Sequence, residues 1–149
     1  HKPVGWRGPR TTMISIVLTD QVISLPQFIA EVESTQAGAV ATFSGNVRAS
    51  DQGKEVVSLS YEIHPSTEQV LDQVVRDVAS HHDILGVAVG HRFGEIAIGE
   101  SALIVAISSE HRREAFDACA EMVNEVKARI PIWKHQVFAD GSDEWVNCA

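Results

Sequence analysis

The apolar positions of this chain fall into short runs of two distinct periods. Residues 14–19 (ISIVLT) predict a first strand. Ser24-Leu25-Pro26 then opens a short helix to about Ser34, with Pro26 in its first turn. Residues 38–48 (GAVATFSGNVR) read as a strand, 49–54 (ASDQGK) as a polar turn, and 56–64 (VVSLSYEIH) as an alternating strand. Strand, turn and strand in that order predict a hairpin. In the next stretch, Val70, Leu71, Val74, Val75 and Val78 recur at helical spacing, so residues 65–82 are expected to form a helix capped by Ser66 or Thr67.

Residues 86–95 (GVAVGHRFGE) and 102–109 (ALIVAISS) predict two further strands, joined by the turn IAIGES. A long helix is expected from about Glu110 to Ala128, capped by Ser108 or Ser109 and stopped by Pro131. Its stripe His111, Ala115, Cys119, Met122 and Val126 places His111 at the top of a buried face. IWKHQVF (132–138) reads as a strand, ADGS as a turn and EWVN as a short last piece. Mixed helices and strands with a hairpin favour an α+β fold with a largely antiparallel sheet.

Composition narrows the function classes. With 149 residues the chain can bury one real core, and residues 13–149 are expected to form a single domain. The formal net charge of −8 argues against a nucleic-acid binder. Residues 1–12 hold Lys2, Arg7 and Arg10 but no acid, and read as an appended remnant or disordered leader. No run is apolar for long enough to span a membrane, and no signal peptide is evident. Cys119 and Cys148 form no CxxC, which suits a reduced, cytoplasmic protein.

Two motifs can be set aside. GEIAIGES (94–101) has the glycine spacing of a phosphate loop, but Glu100 stands where a lysine is needed and would repel phosphate. Seven histidines occur without HExxH or a Cys/His cluster, so neither a metal nor another cofactor is expected. His81 and His82 read as surface residues closing a helix, where they suit its dipole.

The segment KARIPIWKH (127–135) is more informative. Lys127 and Lys134 bracket an apolar turn in an acidic chain. Both stems could snorkel over apolar surface. Alternatively, the two cations rim a pocket for an anionic substrate or for developing charge. In a strand, Ile132 and Lys134 share one face while Trp133 and His135 share the other. Arg112 and Arg113 open the long helix, where an anion would offset them, as would Glu110 and Glu114. At ~1.5 Å per residue, Arg112 and Lys127 lie roughly 22 Å apart, so they cannot grip one small molecule within one subunit. If both act on it, a second copy completes the site.

GAVATFSGNVR, LSYEIHP, HRFGE, SSEHRREAF and KARIPIWKH, in this order and spacing, resemble the large, catalytic subunit of molybdopterin synthase. The resemblance runs from Met13 to Val146 and implies an α/β hammerhead-like α+β fold built around a central dimer. It implies a small ubiquitin-like partner at each end, giving a heterotetramer, with the partner's C-terminal Gly-Gly thiocarboxylate entering a pocket of the large subunit. The implied reaction moves two sulfurs onto cyclic pyranopterin monophosphate, opens the cyclic phosphate and forms the dithiolene of molybdopterin. Lys127 and Lys134 match the family's catalytic lysines. Arg48 matches a substrate-binding arginine, and with it Asn46 and Val47 are expected at the substrate. His111 and Arg112 match a His-Arg pair that reaches the site from the other protomer. His135 and Gln136 are expected beside the lysines, and Phe43 in the pocket wall.

The chain also departs from that pattern. Many relatives place a glutamate where this chain has Gln136, and some continue further with an added basic residue. Two other readings compete. One is a dimeric anion-binding module without turnover. The other is a cyclic-phosphate hydrolase using His111, which lacks a second well-placed histidine. No cysteine falls near the lysines, so sulfur is expected to arrive on a partner.

Overall fold

The computed structural model describes residues 11–147. The basic leader up to residue 10 and Cys148 lie outside the described residues. The elements are β1 (Met13–Thr19), α1 (Leu25–Val32), β2 (Ala39–Asn46), β3 (Ser50–Asp51), β4 (Lys54–Ile63), α2 (Thr67–Ala79), β5 (Gly86–Arg92), β6 (Gly94–Ile96), β7 (Ser101–Ser109), α3 (Arg112–Arg129), β8 (Ile132–Phe138) and β9 (Asp143–Asn147). One sheet has the order β1-β5-β7-β2, with only β1 and β5 parallel. The second has the order β3-β4-β8-β9, with β6 also paired to β4. The architecture is α+β and mostly antiparallel, as the patterning predicts.

β5 and β7 are apolar almost throughout because helices cover both faces of their sheet. Val87, Val89, Val105 and Ile107 pack with Leu71, Val74, Val75 and Val78 of α2 and with Ala115, Ala118, Met122 and Val126 of α3. Ala88, Ile104 and Ala106 point the other way, toward Phe28 and Val32 of α1. A Cβ added at Gly90 would stand 2.3 Å from the Phe28 ring, itself only 2% exposed and without room to retreat. Gly90→Ala is therefore expected to cost about 1–3 kcal/mol by overpacking, measurable as a lower urea midpoint at unchanged slope.

Several expectations are corrected. β2 and β4 do not form a hairpin. β2 pairs with β7 from Ala39↔Ser109 onward, because its apolar positions complete the buried sheet. A register shift at Gly45/Asn46 then lets the chain leave that sheet. The hairpin partner of β4 is the two-residue β3, formed within the stretch read as a turn. Gln52 and Gly53, at φ 54 and 76, make its two-residue turn.

The cap of α3 is His111, with extended backbone (φ −127), rather than Ser108 or Ser109, which are buried at the end of β7. His111 is exposed and does not head the buried face, because the helical period does not extend to a residue outside the helix. α2 ends at Ala79, and His81 and His82 lie beyond it. They are more than surface residues, since both engage Glu121 of α3, His81 Nδ1 at 2.8 Å. This contact raises the His81 pKa above its ordinary value.

Candidate active site

The two sheets meet at a concave polar cavity of about 210 Å³. Its walls are drawn from widely separated parts of the chain. β2 and the residues after it supply Gly45, Asn46, Val47 and Arg48, and β3 supplies Asp51. β4 and β5 supply Tyr61 and His91, and the last turn of α3 supplies Lys127. Lys134 and Gln136 project from β8. Register explains the last pair: Tyr61↔Lys134 and Leu59↔Gln136 align alternate residues of two antiparallel strands on one face. The C-terminal turn of α3 is a favourable place for the Lys127 cation, since the helix dipole is negative there.

Asn46 Oδ1 accepts hydrogen bonds from Ser44 Oγ at 2.8 Å and Ser101 Oγ at 2.7 Å, which fix its side chain. Val47 is buried, and its N–H donates to the Glu100 carbonyl at 3.0 Å. Arg48 lies at the mouth with Nη2 donating to Asp51 Oδ1 at 3.1 Å. Glu100, absent from the cavity wall, accepts from Arg92 Nη1 at 3.0 Å and from the Ala97 N–H at 3.1 Å, which suits a turn rather than a phosphate loop.

His91 opens the HRFGE motif, but nothing in the sequence marks it as a site residue within its apolar strand. It is 1% exposed, and its Nδ1–H donates to the Arg92 carbonyl at 2.7 Å. Tyr61 meets it edge-on, with ring centroids 5.1 Å apart. Burial pushes its pKa down to about 4, against the Arg92 hydrogen bond, and the charge of Lys127 adds to the depression. The imidazole is thus neutral at physiological pH, with Nε2 as its remaining acceptor.

Not every expected site residue comes to this cavity. His135 points to the opposite face of β8, where it stacks on Trp145 (centroids 4.2 Å apart, planes at 9°) and Nε2 meets Asp143 Oδ2 at 2.9 Å. Strand parity, which separates His135 from Lys134, already carried that signal. Phe43 lines a separate depression with Phe116, Cys119 and Val123, so it does not wall the lysine cavity. His111 borders a third depression with Gly38 and Glu110, and Arg112 is exposed beside it. Both stand at the far end of α3 from Lys127, as helix length requires.

Cys119 is buried on α3, and burial pushes its thiol up to about 11, leaving it without thiolate character at neutral pH. Among the described residues no group of His, Cys, Asp or Glu side chains could hold a metal ion, and no helix is long and apolar enough to cross a membrane. What the cavity offers is local positive charge from Lys127, Lys134 and Arg48, with one carboxylate, two amides and a neutral imidazole. That combination can bind an anion and stabilise developing negative charge.

Comparison with known proteins agrees on one family. The model of the MoaE protein family matches residues 18–129. The molybdopterin synthase catalytic subunit of Arabidopsis thaliana is 38% identical over 130 residues, covering 87% of this chain and 66% of its own length. That of Bacillus subtilis is 35% identical, covering 87% of this chain and 82% of its own. The chain therefore spans about two thirds of the plant relative and most of the bacterial one. Among solved structures, molybdopterin synthase from Staphylococcus aureus superposes with a TM-score of 0.78 at 28% identity, covering 89% of this chain and 95% of that one. Sequence and fold together place this chain in the MoaE family, whose relatives are molybdopterin synthase catalytic subunits.

Proposed function

We propose that this chain is the catalytic subunit of a cytoplasmic molybdopterin synthase and acts as a sulfurtransferase. The observation that carries the reading is the convergence of Lys127, Lys134 and Arg48 on one small cavity in a chain of net charge −8. Both reactants implied by the family are anions, a pterin phosphate and a thiocarboxylate, and each requires locally concentrated cations.

In this mechanism the partner's C-terminal thiocarboxylate sulfur bonds to a carbon of the pyranopterin as that carbon's bond to oxygen breaks, the oxygen staying on the phosphate at the carbon where the cyclic phosphate opens and leaving as water at the other. Water then adds to the acyl carbon, and the acyl C–S bond breaks. Sulfur stays on the pterin, and the partner leaves with an ordinary carboxylate. Lys127 lies beside the acyl carbonyl and stabilises the oxyanion that forms there. Lys134 and Arg48 hold the pterin phosphate, and Lys134 is placed to move a proton. Asn46 and Val47 border the substrate, and Gln136 hydrogen-bonds within the same wall. A second thiocarboxylate supplies the second sulfur, and opening of the cyclic phosphate completes the dithiolene. The buried, protonated Cys119 gives no support to a persulfide on this chain.

The roughly 22 Å between Arg112 and Lys127 supports a composite site in a homodimer, with His111 and Arg112 reaching the partner copy's lysine cavity. A ubiquitin-like subunit on each protomer completes a heterotetramer. A complementation assay tests this. Lys127→Ala and Arg112→Ala chains are each expected to form little dithiolene with thiocarboxylated partner and pyranopterin monophosphate. Mixed and reassorted, they should recover about a quarter of the wild-type sites, since half the dimers are mixed and each mixed dimer holds one intact site. No recovery would refute the composite site, and no product from the wild type would refute the synthase reading.

A further inference from the structure

Asp51 belongs to a stretch that reads as a plain polar turn, yet it lies at the centre of the cavity's hydrogen bonding. Its Oδ2 accepts from Gln136 Nε2 at 2.8 Å, and its Oδ1 accepts from Arg48 Nη2 at 3.1 Å. The two acceptors of one carboxylate are therefore divided between an amide on β8 and the guanidinium at the cavity mouth. The Arg48 side chain is 75% exposed and that of Asp51 only 18%. Gln136 is buried. The less exposed members of the trio are thus the acid and the amide, and Arg48 is tied to them through the acid.

The hairpin that presents Asp51 is itself tied down. The Val56 N–H donates to the Ala49 carbonyl at 2.9 Å. Lys54 Nζ reaches Asp140 at 3.5 Å and Ser142 Oγ at 3.3 Å in the turn between β8 and β9. The bond from Gln136, then the charges of Lys134 and Arg48, hold the Asp51 carboxyl below the usual carboxylate range against the effect of burial, so it is ionised at neutral pH. An acid beside an anion site is otherwise a liability, because it repels the ligand. The two bonds supply a role that offsets that cost.

We infer that Asp51 is a positioning residue of the anion site, fixing Arg48 and Gln136 in place so that the arginine's remaining donors and Lys134 face the ligand. The inference rests on the proposed function only in taking that ligand to be a pterin phosphate. It separates from simple electrostatics by sign. If Asp51 only dilutes positive charge, Asp51→Asn tightens anion binding. If it positions Arg48, the same change loosens binding, since a neutral amide oxygen holds a guanidinium less well than a carboxylate does.

Acid and amide can also be exchanged, in an Asp51→Asn/Gln136→Glu chain. There the amide oxygen introduced at position 51 accepts from Arg48, and its nitrogen donates to the carboxylate introduced at position 136. The cavity's charge is unchanged. Calorimetric titration of the full chain with pyranopterin monophosphate, and with inorganic phosphate, provides the test, with melting curves confirming folding. Asp51→Asn is expected to weaken pterin binding about fivefold, the fold-change of a partly exposed ion pair, and the double exchange, which restores the bond to position 136 and the cavity's charge while Arg48 stays on a neutral oxygen, to recover part of that loss. Unchanged or tighter binding by Asp51→Asn overturns the inference, as does a double variant no better than the single one. If the expected pattern holds but wild type forms no dithiolene, the synthase reading fails and the positioning role stands. If wild type binds neither probe, both fail.

Discussion

Lys127→Ala is expected to lower dithiolene formation by at least about a hundredfold, the usual loss when a donor to a developing oxyanion is removed. The side chain projects from the last turn of α3 into the cavity, and the helix body is anchored independently by Ala115, Ala118, Met122 and Val126. The Lys127 residue is exposed, so its truncation leaves no core void, and the melting temperature should stay close to wild type. Partner binding should persist as well. Lys134→Ala is expected to behave differently, raising KM for the pterin as well as lowering kcat, because the role proposed for Lys134 is to hold the substrate before reaction. Steady-state kinetics against pyranopterin, with thiocarboxylated partner in excess, separate the two roles. Equal KM effects for both variants would remove the distinction drawn between them.

The second large effect is on stability. His91 is buried and neutral in the fold, with its pKa pushed down to about 4, while an unfolded histidine titrates near 6.5. Between these values the unfolded chain binds a proton that the folded chain refuses. The stabilising term is therefore fully present above pH 6.5 and is lost as pH falls toward 4, to a total of about 3 kcal/mol. His81 runs the other way. Its raised pKa gives stability that is present below its unfolded value and lost as pH rises through its folded value. The lowered carboxyls of Asp51, Glu100 and Glu121 contribute above their unfolded values, and their share is lost as pH falls from those values through the lowered folded ones, starting at the acid end of the His91 window. Urea unfolding of wild type and His91→Gln from pH 7 to pH 4 isolates the His91 term. The variant should be less stable at pH 7, and its stability should fall less steeply with acid. Parallel pH curves would contradict the assignment.

Much of this was legible in the sequence, for reasons specific to each element. β5 and β7 read correctly because sheets covered on both faces give continuous apolar runs, and α2 because its valines keep a 3.6 period. The pairing of β2 failed because adjacency along the chain says nothing about which strand completes a buried sheet. Lys127 and Lys134 stood out as cations flanking apolar residues. Asp51 and His91 did not, since a lone acid in a polar turn and a lone histidine in an apolar strand each have commoner explanations. Strand parity alone puts Lys134 and Gln136 on one face of β8, but only the β3–β4 hairpin brings Asp51 to them. The acid missing at Gln136 is thus met by an acid 85 positions earlier in the chain.

The most direct measurement is a single turnover. Wild-type chain, a thiocarboxylated ubiquitin-like partner and pyranopterin monophosphate would be mixed with the chain in excess, and both products followed by mass spectrometry. The account predicts dithiolene formation together with conversion of two partner thiocarboxylates to carboxylates per pterin. A folded protein that binds partner and pterin yet leaves the thiocarboxylate intact would contradict it, and would make the cavity an anion-binding site without turnover.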